Sequence, residues 1–147
     1  VQVQTGETEI GQGCDTAFSQ MAADAIGIPF TDVHIISTQD TDVTPFGTGA
    51  YASRQTYIGG FSIRQTGQLL RDRILTYAVE LTRQMKENLA LVDGKIVRTT
   101  DGRELMALGE LATEALYSLT HSQHITAEST YQIKNNAYSF GCTFAEV

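Results

Sequence analysis

The sequence predicts an α/β (α+β) domain: helices packed on a mixed β-sheet, opened by a β-turn-α-β unit and spanned by one long central helix. Three observations carry this. A short alternating run is followed by a glycine turn and an amphipathic helical stripe within the first 37 residues. A helical pattern then runs unbroken by proline from about Ser53 to Asn88. Several short β-branched runs bounded by Asp-Gly turns make up much of the remainder.

Val1 and Val3 alternate with Gln2 and Gln4, which reads as a half-exposed strand. Gly11-Gln12-Gly13 forms the turn. Phe18, Met21, Ala22, Ala25 and Ile26 then fall on one face of a helix from about Asp15 to Ala25. Gly27 suits its end and Pro29 stops it. Val33, Ile35 and Ile36 give a second strand within residues 31–37, the return of a crossover unit. Residues 38–52 are polar, glycine-rich and proline-broken, a loop long enough to be functional.

In the long helix Leu70, Ile74, Tyr77, Ala78, Leu81 and Met85 mark the buried stripe. Unbroken to Asn88, it would be roughly 50 Å long. Gly59, Gly60 and Gly67 each weaken a helix by about 1 kcal/mol. They are expected where another element packs closely. Asp93-Gly94 between LALV and KIV reads as a hairpin turn, and Asp101-Gly102 as another. A shorter helix is expected over 105–118, with Leu108, Leu111, Ala112 and Leu116 on one side. Strands are expected over 124–133 and 138–147.

The 147 residues suffice for one domain with its own core, and 41% hydrophobic with 18% charged residues argues against disorder. A net charge of −7 argues against nucleic acid or an anionic membrane surface as the partner. No apolar run reaches the roughly 20 residues that span a bilayer. Cys14 and Cys142 have no metal-site spacing and fit a reducing cytoplasm. Both ends read as strands in mid-course, so the chain is expected to be an internal piece of a longer polypeptide.

Two glycine-rich stretches, GETEIGQG and GTGAYASR, each run into a helix. The first amides of a helix lack intrahelical partners and carry partial positive charge. Two such ends facing one hollow would suit a ligand with a phosphate or pyrophosphate and a heteroaromatic head. Gln12 offers an amide, Ser53 a hydroxyl and Arg54 a guanidinium. The competing reading is that the glycines serve chain geometry alone. Gly47-x-Gly49-x-x-Ala52 matches a dinucleotide fingerprint in letters, but polar, proline-broken residues precede it where a buried strand is required. There is no Walker lysine motif.

TGETEIGQG with its helix, then DTDVTPFGTGAYASRQT, then SFGCTFAEV, occur in an order that resembles the molybdenum-cofactor-binding subunit of the xanthine dehydrogenase family of molybdenum hydroxylases. That family includes carbon monoxide dehydrogenase and 4-hydroxybenzoyl-CoA reductase. The resemblance implies that Gly11, Gln12 and Gly13 line a molybdopterin cofactor and that Tyr51, Ala52, Ser53 and Arg54 form the second wall. Ala52 would stand near the metal, and Ser53 and Arg54 near the phosphate tail. The Gly-x-Gly-x-Tyr-x-Ser-Arg form points to a cytosine dinucleotide tail. The parent would hydroxylate, or reductively dehydroxylate, a heterocyclic or aromatic substrate at molybdenum. Its partners would be the remainder of the molybdenum subunit and iron–sulfur modules, with or without one that carries FAD.

The family's catalytic glutamate and its FGG-containing loop have no counterpart in these residues, so a cofactor cradle without a complete active site is expected. Glu7, Glu9 and Glu146 are not taken as substitutes. The alternative is a non-redox module that binds a phosphorylated ligand or a protein. Other residue groups allow bland readings. His121 and His124 lack further ligands. Cys14 is either a reactive thiol at a helix start or a packing residue. Asp40 and Asp42 are either a cation loop or a solvated face. Tyr51 either stacks on a ligand or covers the turn. The isolated piece is expected to self-associate through exposed apolar surface and strand edges.

Overall fold

The computed structural model describes residues 1–38, 40–135, 138 and 140–146. Strand β1 (Gln2–Gln4) leads through the glycine turn to helix α1 (Cys14–Ile26), and β2 (His34–Ile36) returns parallel to β1 with Val3 opposite Ile35. This is the expected β-turn-α-β opening. A 3₁₀ turn over Phe30–Asp32 takes up the first residues of the run expected as the second strand. The central helix α2 covers Gly60–Thr82 and is entered through a π-turn over Gln55–Gly59. Strands β3 (Leu89–Val92), β4 (Lys95–Arg98) and β5 (Glu104–Ala107) form an antiparallel meander, and α3 (Leu108–Tyr117) follows at once.

The class is therefore mixed α/β, as expected, with the strands divided between two small sheets rather than joined in one. Both sheets rest on one core. Phe18 and Ile26 of α1, Ile74 and Tyr77 of α2, Leu91 and Ile96 of the hairpin, and Leu111 of α3 are its most buried large side chains. The β3–β4 turn is the expected two-residue one. Asp93 and Gly94 both take positive φ, at 48° and 72°, as a hairpin of this twist requires.

Several expected boundaries shift for identifiable reasons. Arg83 adopts a left-handed φ of 57° and its N–H caps Val79, so α2 ends at Thr82 instead of Asn88. Met85 thus leaves the stripe and is 66% exposed. The run at 105–118 divides into β5 and α3, because Glu104–Ala107 pair with β4 first. Leu111 and Ala115 then carry the burial of α3, while Leu116 is exposed. Among the described residues, 124–133 join no sheet. The same holds for the described part of 138–147. Ser139 and Val147 of that run lie outside the described residues.

The glycines of α2 are contact residues. A Cβ on Gly67 would sit 2.7 Å from the Ala25 Cβ of α1, and one on Gly60 would sit 2.8 Å from the Met21 sulfur. Helix α1 therefore lies against α2 at a separation that only glycine permits there. Gly67→Ala gains about 1 kcal/mol in helix propensity but overpacks the α1 contact, which costs about 1–3 kcal/mol. The variant should be less stable in denaturant unfolding. Gly109→Ala in α3, where a Cβ meets nothing within 4 Å, should be neutral or stabilising. Equal effects of the two substitutions would contradict this packing.

Candidate functional site

The two glycine-rich stretches lie side by side. Gly6 and Gly47 meet backbone to backbone: a Cβ on Gly47 would lie 1.8 Å from the Gly6 carbonyl oxygen. From there two residues reach across. Arg54 Nη1 donates to the Glu7 carboxylate at 2.6 Å and to the Gly49 carbonyl at 2.9 Å. The ion pair is nearly closed to solvent, with side-chain exposures of 14% for Arg54 and 9% for Glu7. Gln55, buried on the π-turn, donates to the Thr8 carbonyl at 2.6 Å and accepts from the Gln12 amide. Gln12 also donates to Thr8 at 2.8 Å and accepts from the Ile10 N–H at 2.6 Å. Gln12 is thus fixed across 43 residues of sequence.

Gly11 and Gly13 take φ of 94° and 79°, and nothing stands within 4 Å of where their side chains would be. The turn is open on that side. Its amides, however, are engaged from within. Glu9 accepts from the N–H groups of Gly11 at 2.7 Å, Gly13 at 3.0 Å and Asp15 at 3.1 Å. The start of α1 thus carries its own carboxylate where the sequence left free donors. The Asp15 and Gly13 amides, with smaller help from Gly11 and Cys14, hold the Glu9 carboxyl well below the usual range, at about 2.

The second stretch reverses direction through Ala52 and Ser53, whose φ of 51° and 57° are both left-handed. Two consecutive non-glycine residues in this region store strain of order 1–3 kcal/mol each, a feature that clusters at functional sites. The Arg54 N–H closes the reversal on the Tyr51 carbonyl at 3.1 Å. Tyr51 covers its own guanidinium neighbour, with Arg54 5.9 Å from the ring centroid, and stays 59% exposed. The π-turn that follows replaces the regular helix start expected at Ser53. It aims Gln55 inward at the first stretch.

All seven residues picked from the sequence are therefore in one region. Gly11, Gln12, Gly13, Tyr51, Ala52 and Ser53 are exposed, while Arg54 is half-buried and paired. Ser53 also helps line a hollow of about 440 Å³ between α1 and α2, with Met21, Tyr57, Phe61 and Arg64. Sequence reasoning missed Glu7, Glu9 and Gln55. One signal was available for Glu9: a carboxylate just ahead of a helix start, where negative charge is favoured.

The other candidates take their plain readings. Cys14 is buried, and burial together with Glu9 and Asp15 pushes its thiol up to about 12. Glu9, Cys14 and Asp15 are close enough to hold a metal ion. Both Glu9 oxygens accept backbone amides at the start of α1, so the geometry shown is that of a helix cap. Asp40 caps its own turn, accepting from the Asp42 N–H at 3.0 Å. His121 and His124 are exposed and join no metal-ligating group among the described residues.

The depressed Glu9 pKa fixes a pH dependence. Stability from this cap is complete above the ordinary carboxylate range of about 4.3 and fades as pH falls through about 2. An acid titration followed by backbone NMR should show the 9–15 turn loosening in that window. Glu9→Gln should remove that transition and weaken the helix start at neutral pH. An unchanged acid profile in the variant would contradict the assignment.

A family model for the molybdopterin cofactor-binding domain matches residues 1–147. The xanthine dehydrogenase molybdenum-binding subunit of Escherichia coli O157:H7 is 45% identical over 148 residues, covering 100% of this chain and 20% of that protein. The probable hypoxanthine oxidase of Escherichia coli K12 is 31% identical, covering 99% of this chain and 15% of the relative. Quinoline 2-oxidoreductase from Pseudomonas putida 86 superposes with a TM-score of 0.73 at 27% identity, over 92% of this chain and 18% of that one. The carbon monoxide dehydrogenase of Oligotropha carboxidovorans shares the fold, with a TM-score of 0.77 at 24% identity over 90% of this chain and 17% of its own. The chain spans about a fifth of the length of the first of these relatives. By the match along its whole length, the chain belongs to the molybdopterin cofactor-binding domain family of the xanthine dehydrogenase-like molybdenum hydroxylases.

Proposed function

We propose that this chain supplies two walls of the molybdopterin cradle in a parent molybdenum hydroxylase that acts on a heterocyclic or aromatic substrate. The observation that carries the reading is the juxtaposition of the open Gly11–Gly13 turn with the strained Tyr51–Arg54 reversal. Both sit on a frame whose polar groups are satisfied internally. Exposed backbone without side chains lets a flat heterocycle approach closely. A frame locked by an ion pair and two glutamines gives the preorganisation that cofactor positioning needs.

In this reading Gly11, Gln12 and Gly13 meet the pterin from one side, and Tyr51, Ala52 and Ser53 meet the cofactor from the other. Glu9 already fills the amides of the first turn, so that turn suits the neutral ring of the cofactor better than a phosphate. Arg54 acts chiefly by holding the reversal in place through Glu7. The bound cofactor would bring molybdenum-centred two-electron chemistry at a substrate carbon, and this chain's residues would place it and shield it from water. The tail is assigned as a cytosine dinucleotide, and the partners as iron–sulfur modules, with or without an FAD-bearing one. A cytoplasmic setting accords with two free cysteines. Within these residues there is no catalytic base to assign.

In the purified parent enzyme, Gln12→Ala, by loosening the turn that Gln12 pins to Gln55, and Ser53→Ala, by one lost hydrogen bond, should each lower molybdenum and pterin content roughly tenfold. Gln68→Ala, outside the cradle, should not. Acid hydrolysis should release cytidine monophosphate in proportion to molybdenum. Full cofactor content in both cradle variants would remove the assigned roles, and release of another nucleotide would remove the cytosine assignment. The isolated chain should self-associate, because Leu119, Phe140 and Phe144 are almost fully exposed. Light scattering that shows a strict monomer at high concentration would contradict this.

A further inference from the structure

We infer that residues 125–131 form an open strand edge that receives a β-strand from the remainder of the parent polypeptide. The segment runs along α2 in extended form. Ile125, Ala127, Ser129 and Tyr131 are half-buried, and Thr126, Glu128 and Thr130 between them are exposed. That is the two-residue period of a strand with one face on a surface. The surface is a single stripe of α2. Ser62 donates to the Ser129 carbonyl at 3.4 Å, and Thr66 shares a hydrogen bond with the Ser129 hydroxyl at 2.6 Å. Arg73 donates to the Thr126 carbonyl, and Phe61 stacks on Tyr131 with centroids 5.2 Å apart.

Among the described residues no sheet accompanies this strand-like segment. Among the described residues, 124–133 make no backbone–backbone hydrogen bond and pair with no strand. No proline interrupts the run, so every amide can donate. Leu69 lies on the same α2 stripe as Ser62, Thr66 and Arg73, and it remains 41% exposed. A strand laid beside 125–131 would satisfy the free edge and bring its own apolar side chains down beside Leu69. Its other face would be polar, to match Thr126, Glu128 and Thr130.

The occupant follows from charge and chain length. A second copy paired antiparallel about the segment's midpoint would set Glu128 against Glu128, and like charges directly opposite destabilise a ladder. The chain's net charge of −7 adds to that repulsion. The relative at 45% identity is matched over only 20% of its length, which leaves four fifths of such a polypeptide to supply the strand. This inference is independent of the cofactor assignment.

Hydrogen–deuterium exchange of the parent subunit, prepared from its natural source, tests it. Amides within 125–131 should exchange ~10³-fold slower than unstructured chain. Glu128→Pro and Thr130→Pro should abolish that protection, and Glu128→Ala and Thr130→Ala should keep it. Unprotected exchange across 125–131 in the natural subunit would overturn the inference without recourse to any variant. So would protection that disappears when the parent is diluted to a single subunit, since that assigns the strand to a second copy.

Discussion

One ion pair holds the two glycine-bearing stretches together. Glu7 and Arg54 meet at 2.6 Å with little access to water, so each offsets the other's charge where water cannot. A buried pair of this kind adds little to stability relative to apolar residues of the same shape, but it penalises separation heavily. Its value here is register. The pair sets the 45–55 stretch against the 5–13 stretch, and the Gly6–Gly47 contact lets the backbones close to a distance that side chains would forbid. Gln12, Gln55 and Thr8 then complete the seam. The exposed wall of the candidate cradle is the outer side of this seam.

Much of this was legible from local pattern. The apolar stripe of α1 and the Asp93-Gly94 hairpin follow from periodicity and turn chemistry, which act within a few residues. The glycines of α2 were legible as a sign of close packing, and the contacts of Gly60 and Gly67 with Met21 and Ala25 supply the neighbour. The seven residues picked by spacing and family resemblance fall in one region, where the two glycine-bearing stretches meet.

What escaped the sequence is non-local. A carboxylate ahead of a helix start was the one local hint of Glu9, and nothing in the order of residues says that Arg54 spends its charge on Glu7 rather than presenting it outward. The left-handed pair Ala52–Ser53 is invisible because neither residue type favours that region. The division into two sheets is a choice of strand partners across the chain, which alternation does not encode. At 124–133 the alternation is real, yet among the described residues there is no ladder, because a period of two describes a face and says nothing of the neighbour.

The central claim is that Glu7 and Arg54 act as one clamp. A double-mutant cycle of Glu7→Ala and Arg54→Ala, read by denaturant unfolding, measures it most directly. Each single change should cost about 3 kcal/mol or more, and the double change far less than their sum, with a coupling energy of about 2–3 kcal/mol. Additivity within about 0.5 kcal/mol would mean that the two residues act independently, and the account of the seam would be wrong.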